Sequence, residues 1–298
     1  MTGPEEKIAR IKEEIIDVPI ASYEEAAKFA EGYDLKNRQE ELVKLLLKID
    51  SLCRENDIKY SIAYGSNLGA YRYKRFIPWD DDADVMMTRE EFNKLKAVVE
   101  KQDDCKIIKV LFTDRFVTSE SMESYRFIDI FVFDEAPASS FARKCDVIKS
   151  KLYRLTIFTT DTMKKKSAKK KGIKKAVFVC AYLACILVGK IVLLFRKKDL
   201  IEKHEKMVVK NRKRSDKYMV SYTGTWDDLS RTYMKDWFEH YTEIEFEGHM
   251  FMCICDMEDF FINRYGNYKA LPPAESCKPV HEIGIEERLP WQVRLDWK

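Results

Sequence analysis

The sequence predicts an α+β fold: a mixed sheet covered by helices, with a helical insertion. Three observations predict it. Asn37–Glu55 carries Leu42, Leu45, Leu46, Ile49 and Leu52 on one helical face. Short apolar, strand-like runs follow it. Helices and strands then alternate without strict βαβ repetition, which favours a mixed sheet over a purely parallel one. The 298 residues are 46% apolar and 35% charged, an ordinary globular balance for one large domain or two small ones. A net charge of +3 is too small to imply a nucleic-acid partner. The eight cysteines are scattered without a CxxC pair, which argues against structural zinc and suits a reducing compartment. Residues 1–17 are charged and lack the apolar core of a secretory leader.

The elements read in order as follows. Residues 1–36 hold short helical pieces broken near Pro19 and Gly32. After the Asn37–Glu55 helix, Ile58–Tyr64 reads as a short buried strand. Gly65-Ser66 breaks it, and Leu68 onward starts a helix. Val85-Met86-Met87 is a strand. Thr88 reads as the N-cap of a helix running to about Glu100. Strands are expected at Lys106–Phe112 and Phe127–Phe133. In the aromatic-rich last third, Glu247-Gly248 reads as a turn between two strands, and most of the rings read as core.

The richest chemistry lies at Phe76-Ile77-Pro78-Trp79-Asp80-Asp81-Asp82-Ala83-Asp84. Four carboxylates fall within five residues, and like charges at that density repel. An exposed acidic turn is one reading. A divalent cation is the other, and an all-oxygen ligand set selects Mg²⁺ or Mn²⁺ over zinc. In an extended chain Asp82 and Asp84 point to the same side, so the pair could hold one ion or bridge two over a phosphate. Asp129, alone among Ile128, Ile130 and Phe131, is costly to bury unless paired or metal-bound, and is the natural third ligand. The alternative is a strand-edge Asp facing solvent. Gly65 and Ser66, at a strand-to-helix junction, offer backbone N–H groups and a hydroxyl to a phosphate, and Arg72 or Lys74 could neutralise its charge. Further on, Lys278 and His281 could reach a phosphate, although an ordinary surface histidine is the plain reading of His281.

Taken together these pieces resemble the nucleotidyltransferase superfamily signature, and more closely the LicD family of phosphotransferases. The family pattern is similar to Gly65-Ser66-Asn67-Leu68-Gly69-Ala70-Tyr71-Arg72 followed by Phe76–Asp84. It is also similar to the Gln39–Tyr60 approach, Ile128-Asp129-Ile130-Phe131, Phe246-Glu247-Gly248, and Arg264–Tyr268 leading to Leu271-Pro272-Pro273. The likeness runs from about Asn37 to His281 with a variable middle. Departures are Ser66-Asn67 for the commoner Thr-Leu, Ala83 for Ile, Asn267 where Asp is usual, and Val132-Phe133 for Pro-Leu.

The resemblance implies a nucleotidyltransferase-like sheet and metal-dependent transfer of phosphocholine, or a similar phospho-linked group. The donor would be a CDP-linked compound and the acceptor a hydroxyl on a glycan or lipid-linked glycan. Asp82, Asp84 and Asp129 would be both catalytic and metal-binding, holding two Mg²⁺ or Mn²⁺ ions. Asp129 would by preference take the acceptor proton, and Gly65, Ser66, Arg72, Lys74, Lys278 and His281 would bind phosphate. Two other readings stay open: a nucleotidyltransferase making an activated nucleotide compound, and a non-catalytic binding module with a degenerate site.

The implied organisation is an N-terminal helical extension over 1–36, a catalytic core over 37–150, a basic and apolar helical insertion over 151–215, and a part completing the catalytic domain over 216–298. Within the insertion, eight of the twelve residues from Lys164 to Lys175 are Lys. Ala176–Phe195 then runs twenty residues with Lys190 as its single charge, and Arg196-Lys197-Lys198 closes it. A helix of that length could span a bilayer. A span would put the two halves of one site on opposite sides of the membrane. Docking on an anionic membrane surface at the cytoplasmic inner face is therefore the expectation, with a buried helix second and a span third.

Overall fold

The computed structural model describes residues 4–110, 112–155, 204–209, 214–224 and 228–280, with isolated positions between 172 and 187. The Lys-rich run, most of the apolar run after it, and His281 lie outside the described residues. The chain divides into two compact units. The first comprises 1–135, 216–224 and 232–298, and the second 136–215 and 225–231.

In the first unit, helix α1 is Pro4–Glu14, α2 is Tyr23–Ala27 and α3 is Lys36–Glu55. Ser22 caps α2 through a full capping box with Glu25. Strand β1 (Ser61–Ile62) leads into α4 (Tyr64–Tyr73), then β2 (Ala83–Thr88), α5 (Arg89–Val99), β3 (Cys105–Val110) and β4 (Thr113–Thr118). Helix α6 (Ser119–Glu123) and the long β5 (Ile128–Pro137) follow. Later come β6 (Arg214–Ser221), β7 (Tyr233–Met234), the hairpin β8 (Tyr241–Phe246) and β9 (His249–Ile254), and a last helix, α8 (Met257–Tyr265). The second unit contains helix α7 (Ser140–Leu155).

The main sheet runs β1-β2-β5-β4-β3, with β6 also pairing β5, and β7 pairing β6. β2 and β5 are parallel, and the pairs β1/β2, β3/β4, β4/β5 and β6/β7 are antiparallel. The mixed sheet between helices is the α+β class the sequence predicts.

Alternation along β2 and β5 sorts side chains onto two faces. Val85, Met87, Ile128, Ile130 and Val132 pack with Leu42, Leu46 and Ile49 of α3 and with Phe92 and Leu95 of α5. Met86, Phe131 and Phe133 pack on the other face with Tyr64 and Leu68 of α4 and Phe260 of α8. Burying each large apolar side chain contributes roughly 1.5–3 kcal/mol. Asp84 and Asp129 fall on the second face, one step before Met86 and Phe131.

The structure differs from the sequence reading in two local ways. The strand expected over Ile58–Tyr64 is only Ser61–Ile62, because Tyr64 turns into the left-handed region at φ +45° and opens α4 before Gly65. Strand β4 carries Asp114 and Arg115 in its middle, so apolar patterning does not reveal it. Thr88 does cap α5, its hydroxyl accepting from the Glu91 N–H. Glu247-Gly248 does turn β8 into β9.

Candidate active site

Backbone register builds the site. Asp84 stands beside Asp129 on the parallel pair β2/β5, at the first turn of pleat of both strands. Neighbours across a parallel pair point to the same face, so both carboxylates leave the sheet together. The Asp84 backbone is gripped at both ends by the turn entering α4. The Ala63 N–H donates to the Asp84 carbonyl at 2.9 Å, and the Asp84 N–H donates to Ser66 Oγ at 3.2 Å. Ser66 is buried and fixes the acidic strand to α4.

The segment leading to Asp84 folds back over one face of α4. Glycines at Gly65 and Gly69, four residues apart, make that approach possible. A Cβ on Gly69 would lie 2.6 Å from the Arg75 carbonyl oxygen, and a Cβ on Gly65 would lie 2.3 Å from Asp80 Oδ2. The space left by Gly65 is therefore filled by the Asp80 carboxylate. From the other side, α3 holds the acidic run by its carbonyls: Gln39 Nε2 donates to the Asp80 oxygen at 2.9 Å, and Arg38 Nε donates to the Asp81 oxygen.

Like charges are crowded here. Asp80 Oδ2 is buried without a hydrogen-bond partner. Burial first, then Asp82 and Asp81, push the Asp80 carboxyl well above the ordinary carboxylate range. Burial, followed by the charges of Asp82, Asp129 and Asp80, does the same to Asp84, with Arg115 acting weakly the other way. Asp129 faces Arg115 across the antiparallel β4/β5 pair, with Arg115 Nε donating to Oδ1 at 2.7 Å. The guanidinium in turn lies 3.7 Å over the Phe127 ring.

Among the described residues no group of three or more His, Cys, Asp or Glu side chains forms a ready-made ion cage. The donor set nevertheless fits a hard divalent cation. It is all carboxylate, it is crowded with like charge, and it includes a buried oxygen with no partner.

The remaining sequence candidates divide by place. Arg72 and Lys74 sit at the far end of α4 from Ser66, about 12 Å along the axis at about 1.5 Å per residue. Arg72 Nη2 donates to the Ala21 carbonyl at 3.3 Å, and Lys74 Nζ pairs with Glu245 at 2.7 Å on the rim of a 350 Å³ cleft that also contains Tyr23 and Tyr73. The structure does not bring them to the acidic run. Lys278 is exposed, two residues before a Val280 N–H that donates to Asp81 Oδ1 at 2.9 Å. His281 lies outside the described residues. Sequence reasoning passed over Arg38, Arg115 and Val280 as contributors. Their partners are 43, 14 and 199 residues away. A buried cation demanding a partner, Arg115 beside Asp114 in an apolar hairpin, was the one usable signal.

The comparisons with known proteins point the same way. Residues 57–178 match the family model described as LicD/FKTN/FKRP, nucleotidyltransferase domain. The chain is 28% identical over 267 residues to the lipopolysaccharide cholinephosphotransferase LicD of Haemophilus influenzae, covering 83% of this chain and 96% of that protein. Over the matched stretch the chain is similar to the LicD family. It is also 28% identical over 110 residues to an uncharacterized protein of Rickettsia prowazekii, covering 34% of this chain and 41% of that one. In this chain Asp84 stands on β2 and Asp129 on β5, and the family match spans both.

Proposed function

We propose that this chain transfers phosphocholine, or a similar phospho-linked group, from a CDP-activated donor to a hydroxyl of a glycan or lipid-linked glycan. The observation that carries the reading is the crowding of carboxylates, where Asp84 and Asp129 stand side by side and Asp82 adds its charge to Asp84. The Haemophilus relative supplies the substrate class. Asp82, Asp84 and Asp129 would hold two Mg²⁺ or Mn²⁺ ions, which supply neutralisation of donor diphosphate charge. The chain's own parts do the rest. Ser66 and Ala63 keep the Asp84 backbone still, Arg115 fixes the orientation of Asp129, and Gly65 leaves room for Asp80. One of these carboxylates, by preference Asp129, would accept the proton of the attacking hydroxyl. Lys278 reaches the donor phosphate from the C-terminal segment.

The same proposal places the protein at the inner face of the membrane as a peripheral protein. No helix among the described residues is long and apolar enough to cross a membrane. On α7, Phe141 and Ile148 are 76% and 58% exposed. They share one helical face with the exposed Lys144, the mix of apolar and basic groups that suits an anionic lipid surface.

The test is a donor screen with Mg²⁺, acceptor extract, and CDP- and UDP-linked compounds. The proposal expects CMP release from CDP-choline or a related donor, together with mass gain on the acceptor. Pyrophosphate release from CTP instead would mark a nucleotidyltransferase. No turnover with any donor would mark a binding module.

A further inference from the structure

The three consecutive acids are not equivalent. Asp80, Asp81 and Asp82 precede β2, outside any helix or strand. Asp81 is 1% exposed, and its Oδ1 accepts the Val280 N–H at 2.9 Å. Its own carbonyl is held by Arg38 Nε. The segment it catches is anchored a second time at Cys277, which is buried and whose Sγ–H approaches the Pro272 and Pro273 carbonyl oxygens at 3.6 Å. Lys278 lies between those two anchors, with its side chain in solvent.

We propose that Asp81 is a positioning residue, not an ion ligand: a clasp that fixes residues 277–280 against the acidic run and so places Lys278 for the donor's diphosphate. The second half of the statement rests on the phosphotransferase reading above; the clasp itself does not. An amide oxygen at this position accepts the same hydrogen bond as a carboxylate oxygen. A methyl group accepts none. The proposal therefore separates Asp81→Asn from Asp81→Ala, whereas an ion ligand loses function in both.

Hydrogen exchange at the Val280 amide tests the clasp directly. Slow exchange is expected in the wild type and in Asp81→Asn, and fast exchange in Asp81→Ala. Equal Val280 exchange in wild type and Asp81→Ala overturns the clasp. Donor kinetics and Mn²⁺ binding test its purpose. Asp81→Ala and Lys278→Met should each raise KM for the CDP donor about tenfold, the size of one lost charge-assisted hydrogen bond. Combined, they should raise it no more than either alone, with kcat nearly kept and Mn²⁺ binding intact. Val280→Pro removes the donor N–H without touching the acids and should match Asp81→Ala, which keeps the test open if Asp81→Ala folds poorly. Loss of Mn²⁺ binding in Asp81→Asn overturns the proposal. If no CDP donor is turned over at all, the exchange result still decides the clasp, and it is the transferase reading that fails.

Discussion

Asp50 and Asp84 are equally buried carboxylates, each 8% exposed, yet the fold treats them in opposite ways. Asp50 on α3 receives Arg54 Nε at 2.8 Å on both oxygens and the Tyr60 hydroxyl at 2.6 Å, and Arg54 continues to Glu243. Every charge in that network has a partner supplied by the protein. Among the described residues no side-chain hydrogen bond reaches the Asp84 carboxylate, which instead faces the charges of Asp82, Asp129 and Asp80. The first arrangement ties α3 to β1 and the β8/β9 hairpin. The second gathers like charges that Arg115 offsets only in part. Crowded buried carboxylates are costly, and the proposed cation would offset that cost at this face.

The largest expected difference between the regions is in activity. Asp82→Asn, Asp84→Asn and Asp129→Asn should each lower kcat by about 10²-fold or more while circular dichroism stays native. Asp50→Ala should leave kcat nearly unchanged but lower stability by about 1–3 kcal/mol in urea, because the Tyr60 hydroxyl is left buried and unpaired. Near-wild-type rates in two of the three site variants would erase the distinction.

Stability against pH should sharpen it. Asp80 and Asp84 have raised folded values, so the folded chain holds protons that the unfolded chain has released. Their contribution is fully present below the unfolded carboxylate range, about pH 4, and is lost as pH rises through the folded values. In EDTA the melting temperature should therefore fall as pH rises toward neutrality, and Mg²⁺ should restore it most at the upper end. Asp84→Asn should flatten this dependence and raise the metal-free melting temperature at pH 7. A cation that stabilises equally at all pH values would contradict the account.

The smallest effects come from the glycine face of α4. Gly69→Ala drives a Cβ into the Arg75 backbone and should cost about 1–3 kcal/mol of stability. Gly65→Ala meets only the end of the Asp80 side chain, so it should shift Asp80 and lower kcat more than it lowers the melting temperature. Equal stability losses in both variants, with activity intact, would show that Asp80 is spacing alone.

Much of the fold is legible in the sequence where patterns are local. The leucine spacing of α3, the Thr88 cap and the Glu247-Gly248 turn each need only a few neighbouring residues. Strand β4 is not legible, since Asp114 and Arg115 interrupt its apolar pattern and are satisfied only once Lys109 and Asp129 stand beside them. The carboxylates of the candidate site can be named from residue type and spacing. Their surroundings cannot. Gly65 reads as a phosphate turn but makes room for Asp80, and Ser66 reads as a phosphate donor but holds the Asp84 N–H. Arg72 and Lys74 look close to the site because ten residues seem short, whereas a helix carries them a full length away.

Mn²⁺ binding followed by electron paramagnetic resonance at pH 7 tests the central claim most directly, on the wild type, Asp84→Asn and Asp50→Asn. The account predicts saturable binding in the wild type and in Asp50→Asn, and its loss in Asp84→Asn. Binding of equal strength in all three, or none in the wild type, would contradict it.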